Sequence, residues 1–486
     1  MTALDDFKAS LQGADVHERV RAGLIGEDAR IDGPFGSRPM IYADYVASGR
    51  ALAQVEDFIR NSVLPYYANT HTQASFCGEY MTKLREAARA EIARLTGADA
   101  GMSVVFTGSG STAGINRIAG LLDLAAMARQ GQRVVVLTGP YEHHSNILPW
   151  RETGAEVIEI AEAPGGGVDM AALEMALRTS QGAARIVGTF SAASNVTGIL
   201  TDVDAVTRML RAHGALAIWD YGCAGPYRDM NMKAGTDAQK DAIVFSAHKF
   251  PGGPGSSGVA VIRDGIACRL TPTLPGGGTV SFVSPWGHVY SDRLSAREEG
   301  GTPNVIGDIR TALAMLIKEA LGQDWLDARQ TELRQRALEV WARNDRIELL
   351  GIPDAAALPI FSFRVRDGQG RLVHHQFFTR LLSDLTGVQA RGGCACAGPY
   401  GHRLLGLGRA DSDATIAALA QGEETAKPGW VRLNLSALMS DDKADAVIAA
   451  VDRLARIAPD FVDAYRVETS TARFKAKDLA GGMLAS

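Results

Sequence analysis

From about residue 100 the chain alternates short β-branched apolar runs with longer helix-like stretches. This rhythm limits its fold more than any other feature. The runs are Ser103–Thr107, Val134–Thr138, Glu156–Ile160, Arg185–Phe190, Leu216–Asp220 and Asp241–Ser246. Most of the sequence between them, such as Thr112–Arg129 and Asp202–Ala212, has helical character. Apolar runs of this length separated by helices read as parallel strands buried on both faces. The pattern predicts an α/β architecture, doubly wound or a close relative. Gly258–Arg263 breaks the rhythm, because only a Gly/Pro-rich turn separates it from the preceding run. A parallel crossover needs about a dozen residues or more, so this strand is expected to be antiparallel.

A second region begins after about residue 310. Thr311–Asn344 reads as long helix interrupted near Gly322. Strand Ile360–Val365, helix Val373–Leu385, strand Trp430–Leu435 and helix Asp442–Ile457 follow, which predicts a smaller α/β domain. The stretch from about 400 to 429 reads as an inserted excursion, and the last dozen or so residues as a weakly ordered tail. The 486 residues suit two or three domains. With 50 basic and 55 acidic residues the net charge is −5, which gives no electrostatic case for nucleic acid. No apolar run approaches the roughly 18 residues of a membrane helix, and the N-terminus lacks a signal pattern. Five cysteines (Cys77, Cys223, Cys268, Cys394 and Cys396) are too few and too scattered for a disulfide framework. They suit reduced thiols in a cytoplasmic protein.

Three segments carry candidate chemistry. Thr107-Gly-Ser-Gly-Ser-Thr-Ala-Gly114 lies between a strand and a helix. Its glycines let backbone N–H groups converge, the helix N-terminus favours an anion, and Ser109, Ser111 and Thr112 add hydroxyls. It is neither a Walker A loop nor G-x-G-x-x-G, and alone it reads as a phosphate cradle or a plain strand–helix turn. Asp220 ends an apolar strand, at the edge where α/β folds bind ligands. Alone, with Gly222 close by, it reads first as a turn former. Lys249, in Phe245-Ser-Ala-His-Lys-Phe-Pro-Gly-Gly-Pro254, sits between a buried strand and a rigid turn, where a Schiff-base lysine would be held. Ser246 and His248 flank it as phosphate donors. A cradle, a strand-end acid and a strand-end lysine are together the parts that pyridoxal phosphate needs.

The motifs then become specific. Tyr42-Ala-Asp-Tyr-Val-Ala-Ser48, Ala68-Asn-Thr-His71, Glu142-His-His-Ser-Asn-Ile-Leu-Pro-Trp150, Ser194-Asn-Val-Thr-Gly198, Phe245-Ser-Ala-His-Lys249, Pro275-Gly-Gly-Gly-Thr279, Gly300-Gly-Thr-Pro-Asn304 and Arg391-Gly-Gly-Cys-Ala-Cys396 occur in order. On these the chain resembles the class V aminotransferase group of fold-type I pyridoxal phosphate enzymes, and most closely the SufS-type cysteine desulfurases and selenocysteine lyases. The resemblance implies a mostly parallel seven-stranded sheet with one antiparallel strand. It also implies an N-terminal segment (1–40) packing on the small domain, a large cofactor domain (41–310) and a small domain (311–486) carrying the Cys-x-Cys loop.

Residue roles follow from the same resemblance. Lys249 matches the Schiff-base lysine, Asp220 the partner of the pyridine nitrogen, and His143 the histidine that stacks on the ring. Asn195 matches a side chain near the cofactor or the substrate carboxylate, and Arg391 the arginine that binds that carboxylate. Ser111, Thr112, Ser246 and His248 match phosphate contacts. Thr302 matches a threonine reaching a partner subunit's phosphate, which implies a homodimer with shared sites. Cys396 matches the cysteine whose thiolate takes sulfur from a cysteine-like amino acid, leaving alanine and an enzyme persulfide for a sulfur-acceptor protein.

Two positions depart from the family. Cys223 stands where desulfurases carry glutamine or histidine, and a thiol lacks the amide's strong hydrogen bond. Cys394 stands where the SufS type has histidine. It reads as a thiol that resolves a persulfide, a metal ligand beside Cys396, or a small loop residue; two cysteines alone cannot close a zinc site, so no metal is expected. Cys77 and Cys268 are expected to be packing residues. The rival readings are a transaminase, epimerase or β-lyase without a persulfide, a non-catalytic sulfur carrier, and a nicotinamide-dependent oxidoreductase.

Overall fold

The six apolar runs and Gly258–Arg263 form one seven-stranded sheet in the computed structural model, which describes residues 3–70 and 72–477. The strands are β1 (Met102–Gly108), β2 (Val134–Thr138), β3 (Glu156–Glu159), β4 (Arg185–Ser191), β5 (Leu216–Asp220), β6 (Ala242–Ser246) and β7 (Gly258–Arg263), in spatial order β1-β7-β6-β5-β4-β2-β3. The pairs β3–β2, β2–β4, β4–β5 and β5–β6 are parallel. β7 runs antiparallel to both β6 and β1, as its short connection requires. Every residue of β2, β5 and β6 is buried, which is why these runs are continuously apolar. The edge strand β3 exposes Glu156 and Glu159.

The helix expected over Thr112–Arg129 is two helices, Gly110–Leu121 and Leu124–Arg129. The break falls at Asp123, whose φ of 54° is left-handed. Asp202 caps the Val203–Ala212 helix by accepting the Ala205 N–H. The long helix divides at Gly322 (φ 77°) into Val305–Leu321 and Gln323–Trp341. It begins six residues before the expected Thr311, because Asn304 caps it through the Gly307 N–H.

The chain forms two compact units. The first takes Met1–Ile25, Ser48–Ser194 and Leu200–Asp327; the second takes Gly26–Ala47, Asn195–Ile199 and Ala328–Ser486. The core of the first includes Val105, Ile118, Val136, Trp150, Val187, Ile218 and Val244. In the second, the sheet order is Ile347–Leu349, Ile360–Arg366, Trp430–Asn434, Arg391–Gly393, all antiparallel, with Leu372–Val373 beside Ile360–Arg366. Trp341, Phe361, Phe363, Phe378 and Leu433 fill its core.

Several expectations need correction. Residues 1–40 do not act as one segment on the small domain. Ala3–Ile25 cluster with the first unit, where Lys8 pairs with Glu91 at 2.9 Å and His17 meets the Leu321 carbonyl at 2.9 Å. The excursion at 400–429 is helical, with Gly398–Leu405 and Arg409–Ala420 tied by His402 Nε2 and Ser412 Oγ at 2.5 Å. The hairpin Tyr465–Glu468 and Arg473–Ala476 runs into the expected tail, whereas Asp478–Ser486 lie outside the described residues. Cys268 is exposed rather than packed, and Cys77 is half-buried. A second hairpin, Val280–Ser284 with Gly287–Tyr290, was not foreseen; Trp286 at its turn is 92% exposed, and Phe282, Val283 and Val289 are exposed too. Among the described residues no helix is long and apolar enough to cross a membrane.

Candidate active site

The first unit gathers its chemical groups where β1, β5 and β6 end. Gly108 (φ 81°) and Gly110 (φ 60°) let the chain turn tightly from β1 into the Gly110–Leu121 helix. A Cβ on Gly110 would meet Ser246 Oγ at 2.6 Å, and one on Gly258 would press into the Gly110 backbone. The Ser111 N–H donates to Ser246 Oγ at 2.8 Å, and the two hydroxyl oxygens are 3.1 Å apart. Thr112 Oγ1 lies 2.6 Å from Ser145 Oγ. The result is a hydroxyl-rich, Cβ-free niche at a helix N-terminus, suited to an anion. Gly258→Ala is expected to cost about 1–3 kcal/mol through overpacking, read as a lowered thermal midpoint.

Asp220 ends β5 and is buried. Its Oδ1 accepts the Gly222 N–H at 2.7 Å. Burial pushes its carboxyl above the ordinary value, while the Gly222 N–H, the Lys249 charge and the Ser111 hydroxyl pull it back. Lys249 closes the turn Ala247–Lys249 after β6 and is half-buried. Gly49 braces this turn: its N–H donates to the His248 carbonyl at 2.9 Å, and a Cβ there would collide with the Phe250 carbonyl. Burial, and then the Lys249 charge, lower the His248 pKa.

His143 Nδ1 accepts the Ser145 N–H at 3.1 Å, so a neutral ring carries its proton on Nε2. The preceding Glu142 is buried and holds this loop. Its carboxylate accepts the Ser191 N–H at 2.7 Å, the Ser191 hydroxyl at 2.7 Å and Asn146 Nδ2 at 2.6 Å. Asn146 Oδ1 in turn accepts Trp150 Nε1 and Thr189 Oγ1. Burial raises the Glu142 carboxyl from 4.5 to about 7, these hydrogen bonds oppose the rise, and the Asp220 charge adds to it. Cys223 is buried, its Sγ 3.6 Å from the Ser194 carbonyl. Thr302 is exposed, on a loop whose Gly301 N–H donates to the Gly277 carbonyl at 2.8 Å.

The second unit holds the remaining candidates. Asp44 bridges two arginines that are register partners on neighbouring strands. Its Oδ2 takes Arg391 Nε at 2.9 Å and its Oδ1 takes Arg432 Nη2 at 3.2 Å. Two guanidinium groups against one carboxylate leave a net positive charge, and the Arg391 side chain is 53% exposed. Arg432 is buried and also donates to the Asn195 carbonyl at 3.1 Å. Asn195 Nδ2 donates to the Ala395 carbonyl at 2.8 Å, while its buried Oδ1 has no hydrogen-bond partner. Cys394 and Cys396 are exposed free thiols. Among the described residues no group of three or more His, Cys, Asp or Glu side chains is placed to hold a metal ion. The structure thus brings Ser111, Thr112, His143, Asp220, Cys223, Ser246, His248, Lys249 and Thr302 into one unit and Asn195, Arg391 and Cys396 into the other.

The family model for class-V aminotransferases matches residues 41–410. The chain belongs to the class-V aminotransferase family. Among curated relatives, one from Vibrio cholerae named "Probable cysteine desulfurase" is 30% identical over 366 residues, covering 74% of this chain and 85% of the relative. Another of that name, from Pyrococcus abyssi, is 28% identical, covering 65% of this chain and 76% of its own. The fold matches an apo cysteine desulfurase from Thermococcus onnurineus (TM-score 0.70, 23% identity, 86% of this chain and 94% of that one). It also matches the cysteine desulfurase CsdA from Escherichia coli (TM-score 0.68, 21% identity, 90% and 98%).

Three residues that hold these groups, Glu142 in the first unit and Asp44 and Arg432 in the second, escaped the sequence reading. Glu142 and Asp44 stand inside quoted motifs but were given no role. Arg432 carried a usable signal, as a lone charge in the apolar strand Trp430–Leu435. Glu142 also sets a pH dependence. Its folded pKa lies above its ordinary value, so its contribution to stability is full below pH 4.5 and is lost as pH rises through about 7. The loss is on the order of 3 kcal/mol. Urea unfolding of wild type and Glu142→Gln across this range should give curves whose difference has that slope.

Proposed function

We propose that this chain is a pyridoxal phosphate-dependent cysteine desulfurase, releasing alanine from an L-cysteine-like substrate and retaining the sulfur on Cys396. The observation that carries the reading is Cys396 itself, an exposed thiol on a loop that begins at Arg391 and is tied to Asn195. The names of the relatives support it.

The residues present fit the cofactor. A buried carboxyl that leans toward neutrality, as Asp220 does, is short of a cation, and a protonated pyridine nitrogen supplies one. The Cβ-free niche at Gly108–Ser111 fits a phosphate. Lys249 would hold the aldehyde carbon, Asp220 the ring nitrogen, His143 one ring face, and Ser111, Thr112, Ser246 and His248 the phosphate. Cys223 would lie beside the ring. When bound, the cofactor supplies an electron sink for negative charge at the substrate α-carbon.

The remaining work falls to the chain. Arg391, oriented by Asp44, binds the substrate carboxylate, and the unpartnered Asn195 Oδ1 accepts a substrate or cofactor donor. Lys249 Nζ moves the α-proton, and His143 Nε2 holds a proton near the ring. The Cys396 thiolate attacks the substrate sulfur; the substrate Cβ–S bond breaks, its electron pair stays with Cβ, which takes a proton on the way to alanine, and a Cys396 persulfide remains. We infer further a homodimer with shared sites, in which Thr302 and the exposed apolar hairpin at 280–290 meet a second copy. A sulfur-acceptor protein is the expected second partner, and the five free cysteines suit a cytoplasmic setting.

The test is to incubate the cofactor-loaded protein with L-cysteine and a reductant and to identify the products. Equal amounts of alanine and sulfide are expected. Pyruvate with ammonia, or a keto acid, would instead mean β-lysis or transamination and would overturn the reading.

A further inference from the structure

The loop that carries Cys396 also carries a second thiol. The Ala397 N–H donates to the Cys394 carbonyl at 3.2 Å, closing a four-residue turn. Its two central residues, Ala395 and Cys396, have φ of 53° and 54°. Two successive left-handed residues are the mark of a type I′ turn, a place normally given to asparagine and glycine. Alanine and cysteine adopt it only when the surroundings impose it. Here the Asn195 amide, from a distant part of the chain, grips the Ala395 carbonyl at 2.8 Å.

The turn has a chemical consequence. Cys394 is its first residue and Cys396 its third, and left-handed geometry brings such Cα atoms to roughly 5–6 Å, inside the range of about 4.4–6.8 Å that a disulfide accepts. Both thiols are exposed, hence open to solvent and to exchange.

We propose that Cys394 resolves the persulfide on Cys396. The Cys394 thiolate attacks Cys396 Sγ, the bond from Sγ to the outer sulfur breaks, and the bonding pair leaves with that sulfur as hydrosulfide. A Cys394–Cys396 disulfide forms. The sulfane sulfur gains the two electrons that the two cysteine sulfurs lose, and water supplies the proton that makes hydrogen sulfide. An external dithiol then reduces the disulfide and restores both thiols. This inference rests on the desulfurase reading for the source of the sulfur, and deepens it: a persulfide that no sulfur-acceptor protein takes is released as free sulfide.

The experiment uses cofactor-loaded protein that has been reduced and freed of reductant. One arm receives a single equivalent of L-cysteine, the other inorganic polysulfide. Samples are quenched in acid, sulfide is assayed, and the loop peptide is weighed. For wild type the expected peptide has lost two hydrogens, with Cys394 linked to Cys396 and sulfide released. For Cys394→Ser the expected peptide keeps an extra sulfur on Cys396 in both arms, and sulfide release is lost in the L-cysteine arm. A wild-type peptide that keeps the extra sulfur in both arms would overturn the proposal. If polysulfide closes the wild-type disulfide while L-cysteine adds no sulfur to Cys394→Ser, the desulfurase reading fails and the resolving step stands.

Discussion

Replacing Lys249 with alanine is expected to lower turnover of L-cysteine by on the order of 10³-fold or more. The visible absorbance of the lysine-linked cofactor should disappear with it. The size of the effect follows from how many tasks the proposed reading gives to one amine. The turn that carries it is braced by Gly49, whose N–H donates to the His248 carbonyl and whose lack of a Cβ leaves room for the Phe250 carbonyl. The Lys249 charge also draws the Asp220 carboxyl back toward ionisation. Lys249→Arg separates these tasks. The charge beside Asp220 persists, so folding should survive, while turnover and the absorbance band should still be lost. Activity surviving in Lys249→Ala would remove this residue from the chemistry.

Cys396→Ser is expected to abolish alanine and sulfide formation from L-cysteine, again by at least on the order of 10³-fold, because a hydroxyl is a far weaker nucleophile toward sulfur. The groups proposed to bind substrate are held without the thiol: Arg391 by Asp44, and Asn195 through its carbonyl, which accepts Arg432 Nη1 at 3.1 Å. Addition of L-cysteine should therefore still perturb the visible spectrum of the variant. Binding retained with turnover lost assigns the thiol to sulfur removal. Unchanged turnover would sink the persulfide role and favour a β-lyase or transaminase.

The sheet was legible because its strands are buried on both faces and so read as uninterrupted apolar runs. The antiparallel β7 was legible from the length of one connection. The glycine loop, Asp220 and Lys249 stood out because each breaks an apolar run at a strand end, and the structure places them where β1, β5 and β6 end. What was hidden depends on contacts far apart in sequence. Asp44 meets Arg391 across 347 positions and Arg432 across 388, distances over which a single sequence has no pattern to offer. The Glu142 network crosses from a loop to β4, so Glu142 looked like one more polar residue in a histidine motif. The 280–290 hairpin was missed because its apolar residues face outward, and outward-facing residues leave no core periodicity to read. Ala3–Ile25 was assigned to the wrong unit because helical composition does not say which neighbour a helix will choose.

The path of the chain between the two units has a consequence for ancestry. Gly26–Ala47 and Asn195–Ile199 lie in the second unit although most of the sequence around them lies in the first. The strand pair Ile41–Tyr42 with Val388–Gln389, and the Asp44 bridge to Arg391 and Arg432, join segments more than 340 residues apart. A crossover anywhere between codons 47 and 388 would therefore separate halves of the same structure. Each unit is built from three separate stretches of sequence, so neither can be moved into another protein as a single exon-like block.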